Sequence, residues 1–368
     1  MNLINLATPG VQGLHPYQPG KPLEELAREY GIHDAIKLAS NENPLGPSPQ
    51  VQDALRQHFD TETLTRYPDG GGFALKQTLA QHHDIEPGCI TLGNGSNDVL
   101  DLVARAFTTS AHSIVYSQHA FVVYMLATQS IGARSIVTPA KNWGHDLDAM
   151  LAAIEADTRV VFIANPNNPT GTWADKTTLK NFLEQVREDV IVVVDEAYFQ
   201  YAATRTEYPD CAVWLSEHPN LVVTRTFSKA YGLASLRIGY ALSHPDVADL
   251  LNRVRQPFNA NSLALIAAEA ALGDQAHVQR GVALNEAGMQ RLNDAFDEIG
   301  CNYIPSVGNF VTVDVGDANN IYDALLRQGV IVRPVGGYEL PNHLRVTIGL
   351  PEENERFIET LNAVLSKS

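Results

Sequence analysis

One lysine, Lys229, follows the apolar run Leu221-Val222-Val223 in the stretch "TRTFSKAYGL". An ammonium at the end of a buried strand is costly unless it is paired or chemically engaged. Lysine also forms Schiff bases with carbonyl compounds, and desolvation lowers its pKa so that the free amine is nucleophilic. Ser228 beside it and Arg237 further along can both donate to a phosphate. The turn Gly93-Asn94-Gly95-Ser96-Asn97 precedes a helix start. Such a turn aims several backbone N–H groups at one point, which suits a phosphate, although a plain turn with a helix cap would read the same way. The third glycine of the dinucleotide fingerprint is missing, and no Gly-Lys-Ser/Thr of a P-loop follows.

Asp195 ends the apolar run "VIVVV", where a carboxylate needs a cation or several donors; a helix cap is the plainer reading. Tyr198 lies three residues later, on the turn leaving that strand. Asn168 sits in "NPNNPTG", whose prolines hold the backbone at low entropic cost. Taken together, a lysine, a carboxylate, a tyrosine hydroxyl, a fixed amide and a phosphate cradle match an aromatic aldehyde. That aldehyde would carry a phosphate, a phenolic oxygen and a basic ring nitrogen.

These groups fall at the ends of β-rich runs that alternate with helical stretches. The runs 89–93, 113–116, 134–138, 159–165, 190–196 and 220–226 are short and apolar, and several are almost wholly β-branched. Such runs mark strands buried on both faces of a mainly parallel sheet, and the alternation marks an α/β architecture. Ligands of open α/β sheets sit beyond the carboxyl ends of the strands, where the candidate groups lie. After residue 243 long helical stretches take over, followed by strands and helices of a smaller α+β unit. The expected organisation is a proline-rich N-terminal arm (1–45), a large α/β domain with helices on both sides of its sheet (46–245), and a small C-terminal domain (246–368).

The chain has 368 residues with 45% hydrophobic and 18% charged content, an ordinary globular composition. Its formal charge of −16 disfavours nucleic acid and anionic membranes as partners. Three cysteines at unrelated spacings suggest neither a zinc site nor a disulfide framework, and point to a reducing cytoplasm. The start "MNLINLATPG" lacks the basic and apolar regions of a signal peptide, and the twelve histidines show no metal-ligand spacing.

Over nearly its whole length the chain resembles the class I/II aminotransferases of fold type I. The resemblance rests on "LHPYQPGKP", "LASNENPLGPSP", "RYPDGGG", "GNGSND", "NPNNPTG", "VVDEAY", "TRTFSKAYGLASLRIGY" and "LRVTIG". It implies pyridoxal 5′-phosphate as cofactor, with Lys229 making the covalent link and shuttling the proton of the reaction. Asp195 would pair with the protonated ring nitrogen, with its pKa depressed by that pairing. Tyr198 and Asn168 would bond the phenolic oxygen. Gly95, Ser96, Asn97, Thr226, Ser228 and Arg237 would hold the phosphate. Phe121 would stack on the ring, where family members often carry tyrosine, and Asn97 stands where many have aspartate. Tyr67 would reach the cofactor phosphate of a neighbouring subunit, implying a homodimer with shared sites. Tyr17, Asn43, Arg333 and Arg345 would contact substrate.

"NENPLGPSP" and "RYPDGGG" resemble most the branch that exchanges an amino group between histidinol phosphate and 2-oxoglutarate, a ping-pong reaction of histidine biosynthesis. Transamination of phenylalanine or tyrosine, and decarboxylation of a phosphorylated amino acid, are the competing activities on the same framework. A cofactor-binding regulator would add a DNA-binding domain, and a nicotinamide dehydrogenase would need the missing glycine.

Overall fold

The computed structural model describes residues 2–16 and 20–367. Seven strands form the main sheet: β1 (Ile90–Gly93), β2 (Ser113–Ser117), β3 (Arg134–Thr138), β4 (Thr158–Ala164), β5 (Ile191–Asp195), β6 (Leu221–Thr226) and β7 (Gly239–Ser243). Their spatial order is β1-β7-β6-β5-β4-β2-β3. Six run parallel, while β7 is antiparallel to both of its neighbours. The sequence pattern shows the six parallel strands as apolar runs. It does not show β7, which continues directly from the "LASLR" segment.

The central strands are buried almost throughout, Arg159 near the start of β4 excepted, because both faces are covered. Val161, Ile163, Val192, Val194 and Val223 pack on one side, and Val160, Phe162, Val193 and Val222 on the other. This is the two-residue alternation of a strand. Phe162 is wholly buried, and its truncation to alanine would cost about 3–5 kcal/mol. Arg225, between two threonines on β6, points to the face opposite the site groups. There it donates to Glu196 (2.9 and 2.7 Å) and Asp210 (2.6 Å), a buried ion pair that ties the end of β5 to β6.

Register decides what gathers at the carboxyl edge. Ala164 of β4 lies opposite Asp195 of β5, which lies opposite Thr224 of β6. Two residues on, Thr226 pairs with Gly239, which pairs with Gly93. The strand ends of β1, β4, β5 and β6 are thereby brought to one crevice. Helix α1 (Ser96–Phe107) leaves β1, and α2 (Val122–Ser130) follows β2.

A second, antiparallel sheet is formed by β8 (Tyr303–Ile304), β9 (Phe310–Asp314), β10 (Arg333–Pro334) and β11 (His343–Thr347), in the order β8-β9-β11-β10. It has its own core, with Phe296, Val311, Val346 and Phe357. Residues 36–38 of the arm join this part of the chain: Ile36 and Lys37 pair in parallel with Val330 and Ile331. Thr347 N–H donates to the Leu38 carbonyl at 2.9 Å. Among the described residues no helix is long and apolar enough to cross a membrane, and no cluster of side chains has the makings of a metal site.

Candidate active site

The crevice is a cavity of about 420 Å³, bordered by the ends of these strands, by α1 and α2, by residues 39–41 of the arm and by Arg345 of β11. One end is built for an anion. Gly95 precedes α1 with φ +80° and offers no side chain to cap the helix, so the first N–H groups of α1 face the cavity. A Cβ on Gly95 would collide with the Arg237 guanidinium, and one on Gly239 with the Ser96 amide. Those two glycines therefore allow the helix start and the arginine to close on the same spot. Arg237 donates to Ser228 Oγ (3.1 Å), and the Thr226 hydroxyl accepts from Ser228 N–H (3.1 Å). Ser96, Asn97, Thr226, Ser228 and Arg237 all border this end.

Asp195 borders the cavity at the end of β5 and is 5% exposed. Thr224 Oγ1 donates to its Oδ1 (2.8 Å), and the Tyr124 hydroxyl donates to its Oδ2 (3.1 Å). Tyr124 is wholly buried, and its ring lies parallel to Phe162 with centroids 4.7 Å apart. Burial pushes the Asp195 carboxyl up to about 6, against those two donors, the Ala197 N–H and the charge of Lys229. The sequence leads one to expect a depressed value through pairing with a ring cation. With the chain's own groups alone, desolvation wins.

Lys229 donates from Nζ to the Ser40 carbonyl at 3.0 Å. Lys229 is half-buried, with its side chain on the cavity wall. Burial brings its pKa down to about 7, with the positive charges of Arg345 and Arg237 adding to the effect and Glu42 opposing it. A large fraction of the amine is then neutral at neutral pH, as a nucleophile and proton carrier requires.

Tyr198 and Asn168 form a third corner. The Tyr198 hydroxyl accepts from Asn41 Nδ2 (2.9 Å), and burial pushes its pKa up to about 12. Arg345 is buried; it donates to Asn168 Oδ1 (2.5 Å) and to the Ala39 carbonyl (2.7 Å), above the ring of Phe310. Phe121 and Ala197 supply flat apolar wall.

The remaining sequence-derived candidates lie elsewhere. Asn43 is not part of the cavity wall: its amide donates to the Ala230 carbonyl (2.8 Å), and its oxygen accepts from Leu45 N–H (2.9 Å). It steadies the loop that carries Lys229, because both of its polar ends are used on backbone. Arg333 pairs in register with Arg345, so the two leave the same sheet face, but only Arg345 reaches the cavity wall. Tyr67 is 81% exposed and stacks on Phe258 at 4.6 Å, away from this chain's own cavity. Tyr17 lies outside the described residues. Sequence reasoning missed Asn41, Tyr124 and Thr224. Asn41 is the earlier asparagine of the "SNENP" motif, Tyr124 follows Phe121 by one helical turn, and Thr224 emerges only from strand register.

An enclosed, half-neutral lysine between an anion cradle and a buried carboxylate defines a group-transfer enzyme that works through a covalently held carbonyl cofactor. Residues 33–361 match the family model described as aminotransferase class I and II, and the chain belongs to that family. It is 59% identical to histidinol-phosphate aminotransferase 2 of Pseudomonas fluorescens (strain Pf0-1), over 100% of this chain and 99% of that one. The crystal structure of histidinol-phosphate aminotransferase from Sinorhizobium meliloti in complex with pyridoxal-5′-phosphate superimposes with a TM-score of 0.89 at 32% identity, covering 98% of this chain and 97% of that one. An aspartate aminotransferase of Thermus thermophilus shares the fold at 20% identity, with a TM-score of 0.83 and 97% and 99% coverage.

The cavity suits pyridoxal phosphate on its own terms. The anion cradle would suit a phosphate, Asp195 a cationic ring nitrogen, Tyr198 and Asn168 a phenolic oxygen, and Lys229 an aldehyde. Phe121 and Ala197, on the cavity wall, would accommodate a planar ring.

Proposed function

We propose that the protein is a pyridoxal-phosphate-dependent aminotransferase that moves an amino group between histidinol phosphate and 2-oxoglutarate, in histidine biosynthesis. The observation that carries the chemistry is the Lys229 amine at the wall of a cavity that also has an anion cradle and a buried carboxylate. The substrate assignment rests on the full-length identity to the Pseudomonas enzyme.

Bound pyridoxal phosphate supplies an electron sink that stabilises negative charge at the substrate's Cα. The protein's part is positional and electrostatic. The Gly95–Asn97 turn, Thr226, Ser228 and Arg237 hold the phosphate. Asp195, kept in place by Thr224 and Tyr124, would hold a protonated ring nitrogen as its counter-ion. Lys229 Nζ would hold the cofactor's aldehyde carbon until an amino substrate takes its place. The free Lys229 amine, partly neutral near pH 7, would carry the proton that leaves the substrate's Cα. Arg345 binds the substrate's anionic end, which is a phosphate in one half of the cycle and a carboxylate in the other. On a chain of charge −16, this arginine and Arg237 make the cavity locally attractive to anions.

We divide the chain into an arm, a large domain and a small domain at 1–45, 46–245 and 246–368; the two separate sheets support two units, although Val247, Leu251, Ala264, Ala268 and Val278, beyond residue 245, pack in the cores of the main sheet. The working unit is a homodimer. Tyr67, Phe59, Leu64 and Phe73 are strongly exposed, and a second copy of the chain would cover them and carry Tyr67 to the neighbouring cofactor phosphate. The cytoplasm is the proposed compartment, in keeping with three free cysteines.

The test is a set of half-reactions. Holoenzyme is mixed separately with histidinol phosphate, glutamate, phenylalanine and tyrosine, and the cofactor spectrum is followed. Rapid conversion to the amine form with histidinol phosphate and glutamate is expected. Conversion only by phenylalanine or tyrosine would overturn the substrate assignment. Release of carbon dioxide with no ketone formed would overturn transamination.

A further inference from the structure

Asn41 sits in the arm with φ +54° and is 1% exposed, yet it borders the cavity. Its backbone N–H donates to Thr347 Oγ1 (2.9 Å) on β11. That hydroxyl, having accepted there, gives its own proton to Asn41 Oδ1 (3.1 Å). Asn309 Nδ2 donates to the Asn41 carbonyl (3.0 Å), pinning the backbone. With Oδ1 committed to Thr347, the group that faces Tyr198 is the amide NH₂, 2.9 Å from the phenol oxygen. An NH₂ group only donates, so the Tyr198 oxygen must accept. Among the described residues Asn41 is the one hydrogen-bond partner of that hydroxyl, so the phenol's own proton is left to point into the cavity.

We propose that Asn41, oriented by Thr347, is a positioning residue that fixes the direction of the Tyr198 hydrogen bond. The phenol is thereby obliged to donate to the oxygen of a bound cofactor ring. The inference rests on the pyridoxal phosphate reading of the cavity and adds to it the arm segment and the second sheet. Three segments far apart in sequence meet at one proton: residue 41, residue 198 after β5, and residue 347 on β11. Other charged or titratable groups around the phenol are Arg345, Asp195, Tyr338, Tyr201 and Lys229, whose Nζ lies 5.7 Å from the ring centroid. None of them bonds the Tyr198 oxygen among the described contacts.

The consequence is read at the lysine–cofactor chromophore. A hydrogen bond donated to the ring oxygen draws off negative charge that would otherwise hold a proton on the adjacent nitrogen. Donation therefore keeps the chromophore's protonation midpoint low. Asn41→Asp replaces the donor with an acceptor, reverses the Tyr198 hydrogen bond and removes that donation. Its added charge also raises the midpoint, but equally with or without the phenol.

The experiment is a spectrophotometric pH titration of wild-type holoenzyme, Asn41→Asp, Tyr198→Phe and the double variant. Asn41→Asp is expected to raise the midpoint by about one unit more in the wild-type background than in the Tyr198→Phe background, a non-additivity that isolates the pair. Thr347→Val has nearly the same shape and no new charge. It is expected to raise the midpoint in the wild-type background and leave it unmoved alongside Tyr198→Phe, and it keeps the test available if Asn41→Asp does not fold. Equal shifts in both backgrounds would overturn the proposal and leave Asn41 as scaffold. A wild-type protein with no chromophore at all would overturn the cofactor reading itself, and the inference with it.

Discussion

Burying the Lys229 amine has a thermodynamic signature that is independent of turnover. The drop from the ordinary 10.5 to about 7 makes the folded, cofactor-free protein bind fewer protons than the unfolded chain throughout that interval. Stability must then rise with pH between about 7 and 10.5, at up to about 1.4 kcal/mol per unit. From pH 7 to pH 9 the upper limit is ~2.7 kcal/mol, and the only partial burial of Lys229 reduces this to roughly 1–2 kcal/mol. Lys229→Met retains the aliphatic stem and lacks the titration. The assay is urea unfolding of cofactor-free wild type and Lys229→Met at pH 7, 8 and 9, at one fixed protein concentration. The wild type is expected to gain 1–2 kcal/mol on the variant over that range, on the order set by the shift. A difference that stays flat with pH would refute the argument that burial neutralises the amine.

Three further outcomes follow from the same geometry. Asp195→Asn removes a carboxylate whose burial is unfavourable once it ionises above about pH 6. The cofactor-free variant is expected to be more stable at pH 7.5 by roughly 1–2 kcal/mol, while cofactor affinity falls at least tenfold, as thermal melts and equilibrium dialysis would show. Arg345→Ala is expected to raise the KM for histidinol phosphate by about 100-fold, in line with a lost charge-assisted contact of ~3 kcal/mol, while the cofactor dissociation constant changes far less. Equal losses in both would make Arg345 scaffold. Tyr67→Ala is expected to leave the unfolding of the isolated chain nearly unchanged and to weaken cofactor retention in the dimer. Urea unfolding and dialysis would check the two halves, and unaltered retention would remove Tyr67 from the neighbouring site.

Much of this site is written locally. Asp195 and Lys229 stand at the ends of apolar runs, where polar groups have no structural excuse, and the strand-end rule then brings them to one crevice. The Gly95 turn is legible because a glycine before a helix leaves N–H groups uncapped. What escaped the sequence depends on register or on distant segments. Thr224 becomes a partner of Asp195 only when β5 and β6 align, and Tyr124 looks like an ordinary apolar-face residue of a helix. Asn41 and Asn43 sit two positions apart in one motif. The left-handed backbone at Asn41 turns one side chain to the cavity, and the other serves the Lys229 loop. The antiparallel β7 was hidden because its five residues lie directly after a motif that draws attention as loop. The exposure of Tyr67 gains a role only if the proposed second chain covers it.

The most direct test is borohydride reduction of the holoenzyme, followed by proteolysis and mass spectrometry. The account predicts a phosphopyridoxyl group on the peptide carrying Lys229, one per chain, lost from Lys229→Ala. A stoichiometric adduct on another lysine, or a yellow, active protein that forms no reducible bond at residue 229, would contradict it.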